Sequence, residues 1–252
     1  MRRRATVSLH AIVANAAILT STHGYGAGIA SAFADLRADA YGHGLAPVSD
    51  ALASAGIGGF VVSDPVGRDQ LTVRHPTLSI QVGRLRAGAA KETSGAQLLG
   101  PELFGLGEQN TALAPEVWAV LRPALRLTSE VLSAKRVPAG SGVSYGYTYR
   151  TLAETTLVLS GLGFADGIPR AASNRAPVLV GTVLSRVSGR IAMDQFVIDV
   201  GDAVPAVGDV VVLFGDGATG EPTAADWARA TGIRSEVITA GLGARIERVY
   251  PQ

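Results

Sequence analysis

The sequence predicts an α/β domain followed by a mostly β domain. From residue 5 to about 120, short apolar runs alternate with helical stretches, a rhythm typical of parallel strands joined by right-handed crossovers. After Pro123 the apolar runs are instead separated by turn residues such as those at 140–142 and 215–217, which indicates a β-rich fold. The pattern changes near residues 115–125 without a low-complexity linker, so the predicted domains are 1–120 and 121–252.

The first half opens on three arginines and a mostly apolar stretch, which superficially resembles a secretory signal. His10 and Asn15 interrupt that stretch, whereas a signal needs a continuous apolar run of about 7–15 residues. We therefore predict a strand at 5–9 that leads into an amphipathic helix. Periodicity then predicts strands at 32–36, 58–62 and 77–82, with a helix at 44–55 between the first two.

The second half contains five predicted strands, at 124–132, 155–159, 177–184, 196–200 and 209–214. It also contains one predicted helix. Thr223 opens this helix, with Asp226 three residues later as a partial capping box, and Gly232 closes it.

Composition limits the classes of function. With 252 residues, 47% of them hydrophobic, the chain can bury a full core, and a formal net charge of +1 provides no basic excess for nucleic acid. The absence of cysteine excludes disulfides, thiolate nucleophiles and cysteine-based zinc sites. No stretch approaches the ~20 apolar residues of a membrane span. We expect no nucleic-acid or membrane partner, no metal, and a cytoplasmic location.

Four motifs stand out, together with a characteristic ending at 235–239 and 245–248. The first, Ala-Asp-Ala-Tyr-Gly-His-Gly at 38–44, lies where a strand ends and a helix begins. The others are Gly-Val-Ser-Tyr-Gly at 142–146, Gly-Phe-Ala-Asp-Gly at 163–167, and Gly-Arg-Ile-Ala-Met-Asp-Gln at 189–195.

In this order the motifs resemble those of the alanine racemases, pyridoxal-phosphate enzymes with an N-terminal barrel and a C-terminal β domain. The resemblance is nearly continuous from about 97 to 250 and patchier over 4–16 and 33–63. An eight-stranded barrel of this class typically needs about 250 residues, and only about 120 precede the β domain here. The resemblance therefore implies a truncated TIM-barrel-like N-terminal domain, with 97–108 as the last strand and exit, followed by an alanine-racemase-type β domain.

Two positions depart from the pattern that the resemblance implies. Arg37 stands where the family has the lysine that forms the Schiff base with pyridoxal phosphate, and a guanidinium has no free amine lone pair for that reaction. Lys91 and Lys135, the two lysines of the chain, lie outside the motifs. Phe164 stands where the resemblance implies a tyrosine that carries the second proton. Both departures together predict loss of racemisation and no cofactor.

A polar pocket is nevertheless expected, and eight residues are candidates for it. The candidate catalytic residues are Arg37, Tyr41, His43 and Tyr145, and the candidate substrate-binding residues are Phe164, Arg190, Met193 and Asp194. Structural roles stay open as well: hydrogen bonds within the turn for Tyr41 and His43, core packing for Met193, and an ion pair between Arg190 and Asp194. Arg37 is expected to meet an anion, either a protein carboxylate such as Asp39 or a ligand.

Three functions follow as hypotheses. The preferred one is a cofactor-independent enzyme of specialised metabolism, an isomerase, lyase or cyclase that acts on an anionic small molecule. The alternatives are a non-catalytic small-molecule-binding pseudoenzyme and a pyridoxal-phosphate-dependent alanine racemase. The resemblance also implies a head-to-tail homodimer in which Phe164 and Met193 face the partner's Arg37.

Overall fold

The computed structural model describes residues 2–22, 28–83, 97–107 and 113–251. The chain divides into two compact units. We call Val7–Ala124 with Tyr250–Gln252 the parallel-sheet unit, and Met1–Thr6 with Leu125–Val249 the barrel unit.

The first half of the chain alternates strands and helices as predicted. In chain order its elements are β1 (Arg4–Val7), α1 (Leu9–Thr22), β2 (Ala32–Asp35), α2 (Leu45–Ser54), β3 (Gly59–Val62), α3 (Pro65–Arg74), β4 (Ser79–Val82), β5 (Gln97–Leu99) and α4 (Pro115–Trp118). The strands predicted at 32–36, 58–62 and 77–82 and the helices expected after residue 9 and at 44–55 are thus present.

The parallel-sheet unit is built on four parallel strands in the order β4-β3-β2-β5. All four residues of β3 are buried, as expected of an interior strand in a parallel sheet covered on both faces. Asp64 caps α3 by accepting a hydrogen bond from the Gly67 amide, with Pro65 at the first helical position. The α/β class expected of this half is therefore observed. The described strands form a four-stranded sheet, and the TIM-barrel-like fold that the resemblance implies stays a prediction.

The second half of the chain forms the barrel unit. Its elements are β6 (Leu125–Val137), β7 (Gly142–Val143), β8 (Tyr149–Arg150), β9 (Thr155–Ser160), β10 (Pro177–Val180), β11 (Val183–Ser188), β12 (Phe196–Asp199), β13 (Val210–Phe214), α5 (Ala224–Thr231), α6 (Ser235–Ala240) and β14 (Glu247–Val249).

Six antiparallel strands of this unit close into a barrel. They follow the order β13-β10-β11-β12-β9-β6, and β13 pairs with β6 to complete the ring. β1 and β14 extend the sheet from β6 and pair with each other in parallel, Arg4 opposite Glu247. Trp227 of α5 is fully buried and donates from Nε1 to the Pro177 carbonyl at 2.8 Å, which attaches the helix to β10. Closure leaves the six barrel strands without a free edge.

Two predictions for this unit need correction. The single strand expected at 177–184 is a hairpin, since β10 and β11 pair antiparallel around Gly181, whose φ is 57°. The unit also has a second helix, α6, where one helix was expected. The helix opened by Thr223 is confirmed, with the capping box to Asp226 formed in both directions. Across the described ranges, every helix is too short or too polar to cross a membrane.

Candidate functional site

The first motif forms a left-handed turn between β2 and α2. Four consecutive non-glycine residues have positive φ: Ala38 at 51°, Asp39 at 56°, Ala40 at 54° and Tyr41 at 52°. Each L-residue in this conformation costs about 1–2 kcal/mol relative to the right-handed one. The turn therefore depends on contacts that offset this strain.

Neighbouring elements supply some of those contacts. The Ala38 amide donates to the Ser63 hydroxyl at 2.8 Å, which ties the turn to the end of β3. The Asp39 carboxylate accepts from the Leu45 amide at 2.7 Å and so satisfies a free donor at the start of α2. Asp39 is thus committed to the helix and is not the carboxylate that meets Arg37.

The anion that meets Arg37 is Asp35, the last residue of β2. Its carboxylate accepts from the Arg37 amide at 3.1 Å, from Nε at 2.8 Å and from Nη2 at 2.5 Å. The Tyr41 hydroxyl donates to the same carboxylate at 2.6 Å. The Asp35 side chain is 2% exposed and that of Arg37 is 28% exposed. A buried carboxylate therefore joins two of the predicted site residues.

These contacts affect the protonation of Arg37 and Tyr41, the two side chains that donate to Asp35. The pKa of the Arg37 guanidinium is raised, chiefly by its hydrogen bonds to Asp35. The pKa of the Tyr41 phenol is raised well above its ordinary value, first by burial and then by the negative charge of Asp35. Tyr41 consequently stays protonated near neutral pH and acts as a hydrogen-bond donor, which makes it a poor proton carrier.

His43 lies in the interior of the parallel-sheet unit. Nδ1 is 2.9 Å from the Ala40 carbonyl oxygen, so that nitrogen carries the proton. The ring packs on Phe104 with centroids 4.5 Å apart. The Tyr250 hydroxyl donates to the His43 carbonyl at 3.0 Å, and a Cβ on Gly44 would lie 2.0 Å from that hydroxyl oxygen. Glycine at 44 thus makes room for Tyr250.

A second cluster lies in the barrel unit and is centred on Arg170. Its Nη2 donates to the Tyr145 hydroxyl at 2.8 Å, and its guanidinium lies 5.6 Å from the centroid of the Phe164 ring. Arg190 lies 5.6 Å from the centroid of the Tyr145 ring. The Tyr145 hydroxyl donates to the Ile191 carbonyl at 3.3 Å, and its side chain is half exposed. Phe164 lacks a hydroxyl, but a phenol remains in the cluster.

Asp194 belongs to an ion-pair network in the same unit. Arg245 reaches Asp194 at 2.6 Å and the fully buried Asp166 at 2.9 Å. The ion pair considered between Arg190 and Asp194 is therefore replaced by one to Arg245. Met193 is 57% exposed, so core packing is not its role.

The eight residues singled out from the sequence separate into two groups, one in each unit. Arg37, Tyr41 and His43 are in the parallel-sheet unit, and Tyr145, Phe164, Arg190, Met193 and Asp194 are in the barrel unit. The sequence interpretation missed Asp35, Arg170 and Tyr250. Signals existed for the first two, because Asp35 ends a strand two residues before Arg37 and Arg170 closely follows the third motif.

The described part of the parallel-sheet unit contains no lysine that could offer an alternative amine. Lys135 is exposed on β6 of the barrel unit, and Lys91 lies outside the described residues. Within the part of the chain that the structure describes, no group of three or more His, Cys, Asp or Glu side chains could hold a metal ion.

Comparisons with known proteins connect these clusters to one family. Residues 124–250 match the family model described as alanine racemase, C-terminal domain. The alanine racemase of Frankia casuarinae is 44% identical over 199 residues, which are 70% of this chain and 52% of that protein. The alanine racemase of Salinispora arenicola is 53% identical over 131 residues, 52% of this chain and 35% of that protein. The chain thus spans about half or less of these relatives.

Solved structures agree with the sequence relatives. The alanine racemase from D-cycloserine-producing Streptomyces lavendulae has a TM-score of 0.84 and 26% identity, and the alignment covers 100% of this chain and 97% of that one. The alanine racemase from Streptomyces coelicolor A3(2) has a TM-score of 0.83 and 27% identity, with 99% and 98% covered. The expected alanine-racemase-type β domain is confirmed.

These comparisons overturn the expected function. Relatives at 44 to 53% identity are alanine racemases. The similarity therefore points to alanine racemases. The expectation of a cofactor-independent isomerase, lyase or cyclase of specialised metabolism, with a pseudoenzyme as its alternative, is wrong. With the C-terminal family model matched over residues 124–250, the chain belongs to the alanine racemase family.

Proposed function

We propose that the chain is an amino-acid racemase that acts on alanine, as its relatives are named to do. The observation that carries this proposal is the Tyr145 cluster in the matched domain. A half-exposed phenol is held there between the Arg170 guanidinium and the Ile191 carbonyl.

Racemisation requires a proton to leave the α-carbon from one face and another to arrive from the opposite face. A phenol both donates and accepts a hydrogen bond, so it can serve on one of these faces. Tyr145 is accessible and has a cationic neighbour for any negative charge that develops on its oxygen. Tyr41 is a weaker candidate, because burial and Asp35 hold its phenol in the protonated form.

The described residues of the parallel-sheet unit do not fit covalent attachment of pyridoxal phosphate. Position 37 carries a guanidinium in place of an amine, and Asp35 accepts from both its Nε and its Nη2. Lys135, the one lysine among the described residues, is exposed on strand β6 of the barrel unit. We therefore expect racemisation that depends on added cofactor and is slow compared with that of a lysine-bearing relative.

The proposal extends to the architecture of the parallel-sheet unit, to the charge of the substrate and to a second copy of the chain as partner. The parallel-sheet unit is proposed to be a shortened barrel, and the substrate to bind through its anionic carboxylate. The chain is proposed to form a head-to-tail homodimer in which Phe164 and Met193 face the partner's Arg37. Both side chains are exposed apolar groups, 37% and 57% exposed, of the kind that subunit interfaces cover.

The proposal is tested by following alanine enantiomers by chiral chromatography with free pyridoxal phosphate present. We expect interconversion above that of the cofactor alone, and Tyr145→Phe should lower the rate about 10²- to 10⁴-fold, because the variant removes a proton carrier. Tyr147→Phe is the matched control, since Tyr147 is 62% exposed in the same segment. Equal losses in the two variants, or no interconversion by the unaltered chain, would count against the proposal.

A further inference from the structure

We propose that Asp35 is a positioning residue that locks the side chain at position 37 and keeps that position out of covalent chemistry. The proposal concerns the chain's own residues and goes beyond the proposed function, because its test measures attachment of an aldehyde and not racemisation.

The lock is defined by contacts at the end of β2. The Asp35 carboxylate accepts hydrogen bonds from the backbone amide and from two guanidinium nitrogens of Arg37. These bonds fix the conformation of the short segment that contains both residues. The Tyr41 hydroxyl and Arg37 Nη2 both donate to the same carboxylate oxygen, Asp35 Oδ2. The stem of the arginine lies beside Gly83, with Cδ 3.3 Å from the position that a Cβ would take, so glycine leaves room for this orientation. The guanidinium is thereby held in one orientation.

The lock also balances charge. Asp35 is almost fully buried, and Arg37 is the cation that meets it. A buried carboxylate without a cationic partner is strongly disfavoured. The pair therefore forms a unit, and a neutral side chain at position 37 would leave the Asp35 carboxylate without its cationic partner.

A lysine at position 37 would meet the same carboxylate. An opposite charge within about 4–6 Å favours the protonated ammonium. Formation of a Schiff base needs the neutral amine, whose nitrogen attacks the aldehyde carbon with loss of water. Asp35 thus opposes the reaction even when an amine is present, and removing its charge should release that amine.

The test uses Arg37→Lys, the double variant Asp35→Asn with Arg37→Lys, and a matched control, Asp50→Asn with Arg37→Lys. Asp50 is the control because it also pairs with an arginine, Arg74, in the same unit. Each protein is incubated with pyridoxal phosphate and then with borohydride, which adds hydride to the carbon of the C=N bond and leaves a stable secondary amine. Peptide mass spectrometry then measures labelling at residue 37.

We expect the Asp35 double variant to be labelled at residue 37 at least about tenfold more than Arg37→Lys, since one pKa unit changes the neutral fraction tenfold. The Asp50 double variant should match Arg37→Lys. Equal labelling of Arg37→Lys and the Asp35 double variant, or labelling of residue 37 in neither, would overturn the proposal.

A measurement on the unaltered chain covers the case in which the double variant does not fold. Phenylglyoxal modifies free guanidinium groups. Arg37 should therefore react at least about tenfold more slowly than Arg150, whose contacts with the Gly140 carbonyl and the face of the Tyr147 ring include no carboxylate. Similar rates for the two arginines would show that Asp35 does not lock Arg37. Because neither readout needs turnover, failure of this proposal is distinguishable from absence of racemase activity.

Discussion

At the scale of single residues, Gly44 has two properties that only glycine combines. Its φ is 97°, and the place of its missing Cβ is 2.0 Å from the Tyr250 hydroxyl oxygen. Alanine there would have to adopt a strained backbone and displace Tyr250 from its hydrogen bond to His43. Gly44→Ala should therefore lower the free energy of unfolding by about 2–4 kcal/mol, measured by denaturant unfolding.

Gly28 provides the matched control for this prediction. It lies in the same unit with a φ of 69°, and no atom of the described residues lies within 4 Å of an added Cβ. Gly28→Ala should therefore cost only the strain of a backbone with φ 69° and ψ 178°, about 1–3 kcal/mol. Equal destabilisation in the two variants would mean that the close approach of Tyr250 contributes nothing.

The residue scale also shows where sequence reasoning stops. An anion partner for Arg37 follows from the cost of burying an unpaired charge, and the structure supplies one. That this partner is Asp35 rather than Asp39 depends on a turn of four non-glycine residues with positive φ, which no sequence pattern predicts. That turn directs Asp39 to the amide of Leu45 and leaves Arg37 beside Asp35.

At the scale of elements, most strands of both halves follow from periodicity, and each error has an identifiable cause. The run 177–184 is apolar on both sides of Gly181, so the turn inside it is indicated by one glycine alone. α6 has six residues, less than two turns, which is too short for a helical period to be recognised. β6 extends beyond 124–132 because its pairing with β9 continues to Val137, a contact between distant segments.

The capped helix α5 illustrates the opposite case. Thr223 and Asp226 exchange hydrogen bonds, and Gly232 ends the helix with a φ of 74°. All three signals are local in sequence, so the start and the end of the helix could both be predicted. Site residues held by long-range contacts, such as Arg170 against Tyr145, could not.

At the scale of the whole molecule, the racemase motifs identified the family, but the two departures from them misdirected the function. Phe164 was interpreted as the loss of the second proton carrier, yet it shares Arg170 with Tyr145, whose phenol is retained. Under the proposed function, Tyr145 therefore supplies the acid–base group that Phe164 cannot. Arg37 remains a departure at the position that the resemblance assigns to lysine.

The proposed homodimer belongs to this scale too. Light scattering at micromolar concentration should give twice the chain mass of 25.8 kDa. Replacing the exposed Met193 by Glu should shift the equilibrium toward monomer, because a charge at an apolar interface is disfavoured. Leu152→Glu is the control, since Leu152 is 95% exposed and is not among the residues proposed for the interface. A monomer before any substitution would contradict the proposed assembly.

The most direct test of racemase function follows the proton on the α-carbon of alanine. L-alanine is incubated in D₂O with the chain and free pyridoxal phosphate, and deuterium at the α-carbon is measured by NMR alongside the appearance of D-alanine. We expect exchange and D-alanine formation above the rate given by pyridoxal phosphate alone, with both reduced in Tyr145→Phe. Exchange no faster than with the cofactor alone would contradict the account.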